Sequence, residues 1–516
     1  MQLNKWISTF LTAILCIQPA FRAVQAQARQ GKPNVIFIYA DDLGLGLLSC
    51  YGQRIIKTPN IDRLAETGMQ FTRAYGAHLC APARASLITG YSDCRPGKWK
   101  VTGGGAYKDL ATGQRDLASI EQSVQQANGV EGTQVFLPQV FKKAGYTTAQ
   151  IGKLEWGFSA STQQLKAHGW DYYYGYLDHE MCHGFYPPFV FENGRVINIP
   201  GNTYADAGKS EEPETPAAAR NRWNRNGKAV YSEDLFIQKI ISFIDTHQHQ
   251  PFFLYYPSQL PHGPVAIPAI DPEFAFNDSL TGIEKEYASM VKRLDDHVGM
   301  ILGELARLHL DSNTLIIFSS DNGHEIYYSM KGRVEKPYRD MRTGQLFDNL
   351  HTKFYSNIGG DIFNGNASLA GLKRSNWEGG VRVPLIACWP GKIKAGAVSH
   401  QLVSNYDLLP TMAQLLGVTV TEEKDGLSYL PALLEQRGSS HNAVTFGSYM
   451  GPAVIDSNGW KLRYFAPEKV FQLYYLPDDP GETKDLIQAQ PEKTSALKAI
   501  LTRACEGNLE NGWYRE

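Results

Sequence analysis

Val35-Ile36-Phe37-Ile38-Tyr39 is a short, continuous apolar run that ends in Ala40-Asp41-Asp42 and is followed by glycines. An apolar run without alternation marks a strand buried on both faces. Acidic residues at the carboxyl end of such a strand stand where open α/β sheets place their functional groups. Similar runs recur at Thr147 to Ile151, Phe252 to Tyr256, Thr314 to Ser319 and Pro384 to Cys388. Helical patterns fall between them, from Asn60 to Thr67, Phe136 to Ala144, Ser232 to Thr246, Glu284 to Leu308 and Leu408 to Leu416. This alternation predicts an α/β fold with a mostly parallel sheet covered by helices on both faces. Beyond about Ser440 the pattern shortens to hairpin-like pieces, Asn442 to Ser448 and Lys461 to Phe465, and a final helical run from Pro491 to Ala504. The expected division is therefore a large domain over 29–440 and a smaller C-terminal α+β unit over 441–516.

The 516 residues are 43% hydrophobic and 20% charged, which excludes a disordered, collagenous or disulfide-stapled chain. Fifty Lys and Arg oppose fifty-two Asp and Glu for a formal charge of −2. No global basic field draws nucleic acid or an anionic membrane, so a polyanionic partner has to be gripped locally. Residues 1–28 read as a signal peptide: Lys5 precedes the apolar run from Trp6 to Ile17, and Ala26-Gln27-Ala28 supplies the small-residue cleavage site. Leu15 in front of Cys16 argues against a lipoprotein signal. No later stretch approaches the roughly 20 apolar residues of a membrane span. The expectation is an exported protein, periplasmic or secreted, without stable membrane insertion. Cys50, Cys80, Cys94, Cys182, Cys388 and Cys505 show no paired spacing. A Cys50–Cys94 bridge is conceivable, but sequence does not set connectivity.

Two long segments fit no regular pattern, Trp156 to about Lys228 and Glu325 to about Leu372. The first carries Trp170-Asp171-Tyr172-Tyr173-Tyr174-Gly175-Tyr176 and Phe185-Tyr186-Pro187-Pro188-Phe189. Irregular segments this long inside a compact domain usually build a binding surface, and the aromatic rings of the first fit such a surface and a core equally.

Chemistry concentrates at Cys80-Ala81-Pro82-Ala83-Arg84, with Thr89-Gly90 after it. Asp41-Asp42, Gly152-Lys153, Pro261-His262 and Ser320-Asp321-Asn322-Gly323 each follow an expected strand. Lys373-Arg374 precede Trp377-Glu378-Gly379-Gly380, and Asp407 to Thr411 and Asp479 to Glu482 come further on. In this order, from about Pro33 to Asp485, the chain resembles the formylglycine-dependent sulfatases of the alkaline-phosphatase superfamily. The resemblance implies an alkaline-phosphatase-like large domain, sulfate-ester hydrolysis, and oxidation of Cys80 to formylglycine by a sulfatase-maturing enzyme. It also favours Ca²⁺ over Mg²⁺ as the cation.

A sulfate ester repels nucleophiles through its charged oxygens, so hydrolysis needs a cation to bind and orient it. Asp41, Asp42, Asp321 and Asn322 offer hard oxygen donors, the ligand set of Ca²⁺ or Mg²⁺ rather than zinc; Cys80, as formylglycine, completes the implied metal set. A thiolate attacking sulfur would form a bond that water cleaves poorly. A hydrated aldehyde avoids this: one hydroxyl attacks sulfur, and loss of the second hydroxyl's proton expels sulfate. Arg84 supplies a fixed cation near that group.

Lys153 and Lys373 stand where the family places its sulfate-binding lysines and would stabilise charge that grows in the transition state. His262 is the candidate general acid for a poorly leaving sugar alkoxide. The family commonly has a histidine two residues after its Gly-Lys, where this chain has Glu155. Glu155 and His324 are alternative bases toward the formylglycine hydroxyl. His183, Tyr186 and Arg374 are candidate substrate contacts. The His179, Cys182, His183 cluster has no fourth ligand at zinc spacing. The reading is an exported carbohydrate sulfatase acting on sulfated glycans, galactose or N-acetylgalactosamine sulfate among them. A phosphate mono- or diesterase of the same superfamily and an inactive glycan-binding homologue are the alternatives.

Overall fold

A computed structural model describes residues 31–98, 106–126, 134–154, 161–177, 181–203, 215–328, 334–335, 339–340, 355–357, 359–436 and 438–514. The expected signal peptide lies outside these residues. Among them a ten-stranded sheet is built from β1 (Asn34–Ala40), β2 (Met69–Phe71), β3 (Thr147–Gly152), β4 (Tyr172–Gly175), β5 (Phe189–Glu192), β6 (Arg195–Asn198), β7 (Phe252–Pro257), β8 (Thr314–Ser320), β9 (Leu385–Cys388) and β10 (Ala397–Ser399). Their spatial order is β10-β2-β9-β8-β1-β7-β3-β4-β5-β6. The central strands β8, β1, β7, β3 and β4 run parallel, while β9 and the β5–β6 hairpin run antiparallel at the flanks. Every residue of β1 and of β8 is buried, as continuous apolar runs require.

Among the helices are α1 (Pro59–Thr67), α2 (Cys80–Thr89), α3 (Leu137–Lys143), α4 (Thr162–His168), α5 (Ser232–Thr246), α6 (Gly282–Arg307) and α7 (Leu408–Leu416). Helix α1 packs on β9, and α3 and α5 pack on β3. Asp295 of α6 fixes the start of α1 by accepting from the Asn60 and Ile61 amides, each at 2.9 Å, which satisfies donors a helix leaves orphaned.

The aromatic segment is more regular than its sequence suggests. Trp156 to Lys228 contains α4, β4 and the β5–β6 hairpin, so the tyrosine run adds a strand to the main sheet. Trp170 stacks on Phe253 at 5.9 Å and Tyr173 is buried, so these rings are largely core.

After α7 the chain forms an antiparallel sheet, β11 (Ala443–Phe446), β12 (Ala453–Asp456), β13 (Trp460–Phe465) and β14 (Val470–Tyr475), followed by α8 (Pro491–Ala504). Its attachment is electrostatic as well as apolar. Lys461 Nζ lies 3.0 Å from Glu378 Oε1 and 3.0 Å from Glu482 Oε1, with all three side chains fully buried. Tyr75 donates to Glu378 at 2.9 Å, and the Glu378 amide donates to Glu482 at 2.8 Å. Burial opposes the charge on Glu378, yet Lys461 and then Arg382 hold its carboxyl below the usual range. Lys461→Met strands two buried carboxylates and is expected to cost about 3–5 kcal/mol in urea unfolding; a loss below 1 kcal/mol would show that these carboxylates do not depend on the lysine.

Candidate active site

Strand ends bring the site together. Asp41 and Asp42 follow β1, Lys153 follows β3, and Asp321 and Asn322 follow β8. Because β1 lies between β7 and β8, with β3 beyond β7, these carboxyl ends share one edge of the sheet. Asp42 has φ +60°, a left-handed conformation that Asp tolerates and that re-aims the chain directly after the strand. The turn after Asp321-Asn322 needs a glycine: a Cβ on Gly323 would come within 1.8 Å of the Gly379 carbonyl oxygen. That close approach lets Gly323 donate to Gly380 at 2.9 Å and Lys373 donate from its backbone to His324 at 3.0 Å. The Asp321 turn and the Lys373 segment are thereby locked side by side.

The carboxylates form one hydrogen-bonded cluster. Asp321 Oδ1 accepts from the amides of Asp42 at 3.0 Å and Asn322 at 2.9 Å, and Asn322 Nδ2 donates to Asp42 Oδ1 at 2.7 Å. Three cations surround it. Arg84 Nη2 lies 3.0 Å from Asp321 Oδ2 and 3.3 Å from Asp41 Oδ2; Lys153 meets Asp41; Lys373 Nζ lies 2.7 Å from Asp42 Oδ1. All these side chains are essentially buried. Cys80 is buried at the first position of α2, and Arg84, Lys153 and Lys373 each lie close enough to feel a charge on it. The helix N-terminus adds its own positive potential there.

Electrostatics follow from this packing. Burial opposes ionisation of Asp42, but Lys373, with hydrogen bonds from Tyr327 and Asn322, holds its carboxyl well below the usual range. Burial first and Asp41 second push the Asp321 carboxyl up to about 7. Burial also works against the charges on Lys153 and Lys373, yet Asp41 and Asp42 raise their pKa values.

The oxygen donors fit a hard cation. Asp41 Oδ1 and Asn322 Oδ1 are buried acceptors without a hydrogen-bond partner among the described residues, a costly state that a cation relieves. Asp41, Asp42 and His262 also place one ligand atom each within 4.8 Å of one another. Three carboxylates against three cations leave the cluster near neutrality, so a divalent ion would make it positive toward an anionic ester.

His262 faces the cluster. Its Nε2 lies 3.1 Å from Lys373 Nζ and 3.4 Å from Asp42 Oδ2, while Nδ1 sits 2.5 Å from the Gly263 carbonyl. The His183 ring stacks on it with centroids 4.5 Å apart and planes at 15°. Tyr327, in the second irregular segment and not anticipated, donates to Asp42 and lies 5.4 Å from the His262 ring. Cys182 is buried and close enough to Lys153 and Cys80 to feel their charge; burial pushes its thiol up to about 12. A zinc site at Cys182 and His183 has no support from this placement, and His179 lies outside the described residues.

Three of the expected residues have partners of their own. His324 is not a base toward Cys80, because its Nδ1 meets Tyr287 at 3.2 Å and its Nε2 meets Tyr328 at 2.9 Å in a buried ring cluster. Tyr186 does not line a pocket mouth: it is buried against Tyr231 at 5.4 Å, and its hydroxyl accepts from Arg225 at 2.5 Å. Arg374, adjacent to Lys373 at φ +80°, binds Glu325 at 2.5 Å and donates its amide to His78 at 2.6 Å, a bracing role beside the site. Glu155 lies outside the described residues.

Behind His262 sits a buried network. Glu233 Oε1 accepts from the Gln259 amide at 2.5 Å, and Tyr256 donates to Glu233 Oε2 at 2.5 Å and lies 2.9 Å from His297 Nδ1. Burial pushes the Glu233 carboxyl up to about 7 and the His297 imidazole down to about 3, so each is driven toward its neutral form. The folded state then holds a proton that the unfolded carboxyl has released. Stability contributed by neutral Glu233 is lost as pH rises from about 4.5 through 7, by roughly 3 kcal/mol in all. Glu233→Gln is expected to flatten this decline in urea unfolding between pH 5 and 8; an unchanged slope would mean that folded Glu233 is ionised.

A hard-oxygen cluster at parallel strand ends, ringed by three buried cations and a helix N-terminus, defines a hydrolase of anionic esters. A family model described as Sulfatase matches residues 33–418, and one described as N-sulphoglucosamine sulphohydrolase, C-terminal, matches residues 372–506. The N-acetylgalactosamine-6-sulfatase of Rattus norvegicus is 33% identical over 467 residues, covering 87% of this chain and 76% of that protein. The N-acetylgalactosamine-6-O-sulfatase of Bacteroides thetaiotaomicron is 29% identical over 528 residues, covering 91% of this chain and 92% of that protein. The solved structure of Ps i-CgsB in complex with k-i-k-neocarrahexaose has a TM-score of 0.68 at 24% identity, covering 94% of this chain and 95% of that one. The chain belongs to the sulfatase family and is a hydrolase of sulfuric esters. Among the described residues no helix is long and apolar enough to cross a membrane.

Proposed function

We propose that this protein is an exported carbohydrate sulfatase that removes sulfate from sulfated glycans, with N-acetylgalactosamine or galactose sulfate as the first substrates to test. The relatives named for N-acetylgalactosamine 6-sulfate support that choice. Export rests on the N-terminal pattern Lys5, Trp6 to Ile17 and Ala26-Gln27-Ala28. Residues 29–440 form the catalytic domain and 441–516 the C-terminal α+β unit.

One observation carries the mechanism: Arg84, Lys153 and Lys373 converge on the three-carboxylate cluster beside Cys80. Asp41, Asp42, Asp321 and Asn322 would hold Ca²⁺, which when bound neutralises sulfate oxygens and orients the ester. Cys80, converted to formylglycine by a sulfatase-maturing enzyme, supplies the nucleophilic oxygen that its thiol cannot. Lys153 and Lys373 present ammonium groups to the sulfate oxygens and stabilise the growing charge without reorganising, because Asp41 and Asp42 hold them. Arg84 keeps the nucleophile's surroundings positive. His262 donates Nδ1–H to Gly263, which leaves Nε2 to carry a proton to the leaving sugar oxygen. Asp42 at 3.4 Å stabilises that protonated ring. His183, stacked on it, faces the sugar.

The test is sulfate release from sulfated sugars compared with an activated aryl sulfate and with phosphodiesters. His262→Ala is expected to lower kcat on sugar sulfates by about 10²–10⁴-fold and to affect the aryl sulfate far less, since its leaving group needs no acid. Equal losses on both would remove His262 as the acid. Turnover of phosphodiesters alone would overturn the substrate class.

A further inference from the structure

Gln259 is the point where two loops of the site meet. Its Nε2 donates to the carbonyls of Cys182 and Gly184, each at 2.8 Å, and its Oε1 accepts from Ser232 Oγ at 2.6 Å. Those two carbonyls flank His183. On the main chain, Gln259 donates to Glu233 at 2.5 Å and accepts from the His262 amide at 2.8 Å. The next residue, Leu260, accepts from the Asp41 amide at 3.0 Å. Gln259 is fully buried, so each of these bonds is made in a setting where losing it is costly. The amide has one orientation here, because only its NH₂ can satisfy two carbonyls.

We infer that Gln259 is a positioning residue whose side chain holds His183 in ring contact with His262, and that this pairing sets affinity for the sugar part of the substrate. The inference rests on the carbohydrate-sulfatase reading and deepens it. Removing the side-chain amide leaves the backbone bond to His262 intact and releases the Ser232 hydroxyl and the Cys182 and Gly184 carbonyls, of which Gly184 keeps the Tyr176 hydroxyl at 2.8 Å, so the main effect falls on the loop that carries His183. Gln259→Met keeps the volume and removes the three side-chain bonds. It is expected to raise KM for a sulfated sugar about tenfold, with kcat on a small aryl sulfate within about twofold of wild type. His183→Ala should raise KM for the sulfated sugar by a similar factor. The double variant should be no worse than either single one, since both changes break one linkage.

A second measurement needs no turnover. Carbethoxylation of His183 by diethyl pyrocarbonate, read by peptide mass mapping, is expected to rise severalfold in Gln259→Met. Ser232→Ala, which removes only the group orienting the amide, should move the same readouts in the same direction by less. Additive losses in the double variant, equal losses on both substrates, or unchanged His183 reactivity would overturn the assignment. A wild-type enzyme inert toward every sulfated sugar would defeat the substrate reading, whereas His183 reactivity would still decide the role of Gln259.

Discussion

Cys80→Ala is expected to lower sulfate-ester turnover by at least about 10⁴-fold while changing unfolding stability by about 1 kcal/mol or less. The two effects separate because Cys80 is small, buried and at the first turn of α2, where its side chain supports little packing. Its neighbours are chosen for charge: Arg84, Lys153 and Lys373 all respond to a charge on Cys80. Such a setting favours an anionic oxygen at this position far more than a packed thiol. In enzyme purified from cells that mature sulfatases, the tryptic peptide bearing Cys80 is expected to weigh less than its thiol form. An unmodified thiol in fully active enzyme would end the formylglycine reading, and a fully active Cys80→Ala variant would remove Cys80 from the chemistry.

The buried strands β1, β7, β8 and β9 were legible because each is a largely apolar run too short for a helix and bounded by polar turns. The helix over Ser232–Thr246 coincides with its periodic pattern. Motifs that end strands were legible for the same reason: a residue at the carboxyl end of a central strand has its place fixed by the sheet. Lys153, Asp321 and Asn322 meet the cluster as their positions imply. Side-chain direction beyond a turn was not legible. His324 lies three residues past Asp321, yet its ring goes to Tyr287 and Tyr328. The tyrosines from Tyr172 to Tyr176 fit a binding surface and a core equally well by sequence, because an aromatic run in a long segment without regular pattern serves either. Their pairing with β3, which no local pattern encodes, makes them core. Tyr327 and Gln259 carried no motif at all, and only tertiary contact reveals them.

Lys373→Met is expected to reduce kcat/KM for sulfate esters by about 10²–10³-fold and to destabilise the metal-free protein by about 3–5 kcal/mol at pH 7. Lys153→Met should cost less stability, and the reason is visible in the pairing. Asp41 touches both Lys153 and Arg84, so it keeps a cation when the lysine is lost. Asp42 has Lys373 as its permanent cation, with His262 at 3.4 Å contributing only when protonated. In wild type, Lys373 keeps the Asp42 carboxyl low against the penalty of burial, so its stabilisation is present above the unfolded carboxyl pKa and is lost only in strong acid. Without Lys373, burial dominates and the Asp42 pKa rises above its unfolded value. The variant's deficit should therefore be largest at pH 7 and should shrink by pH 5, as Asp42 takes up a proton. Adding Ca²⁺ at pH 7 should shrink it too, because the ion supplies the missing positive charge to the same carboxylate. A deficit independent of both pH and calcium would mean that Lys373 acts through packing alone, and the electrostatic account of the cluster would fail with it.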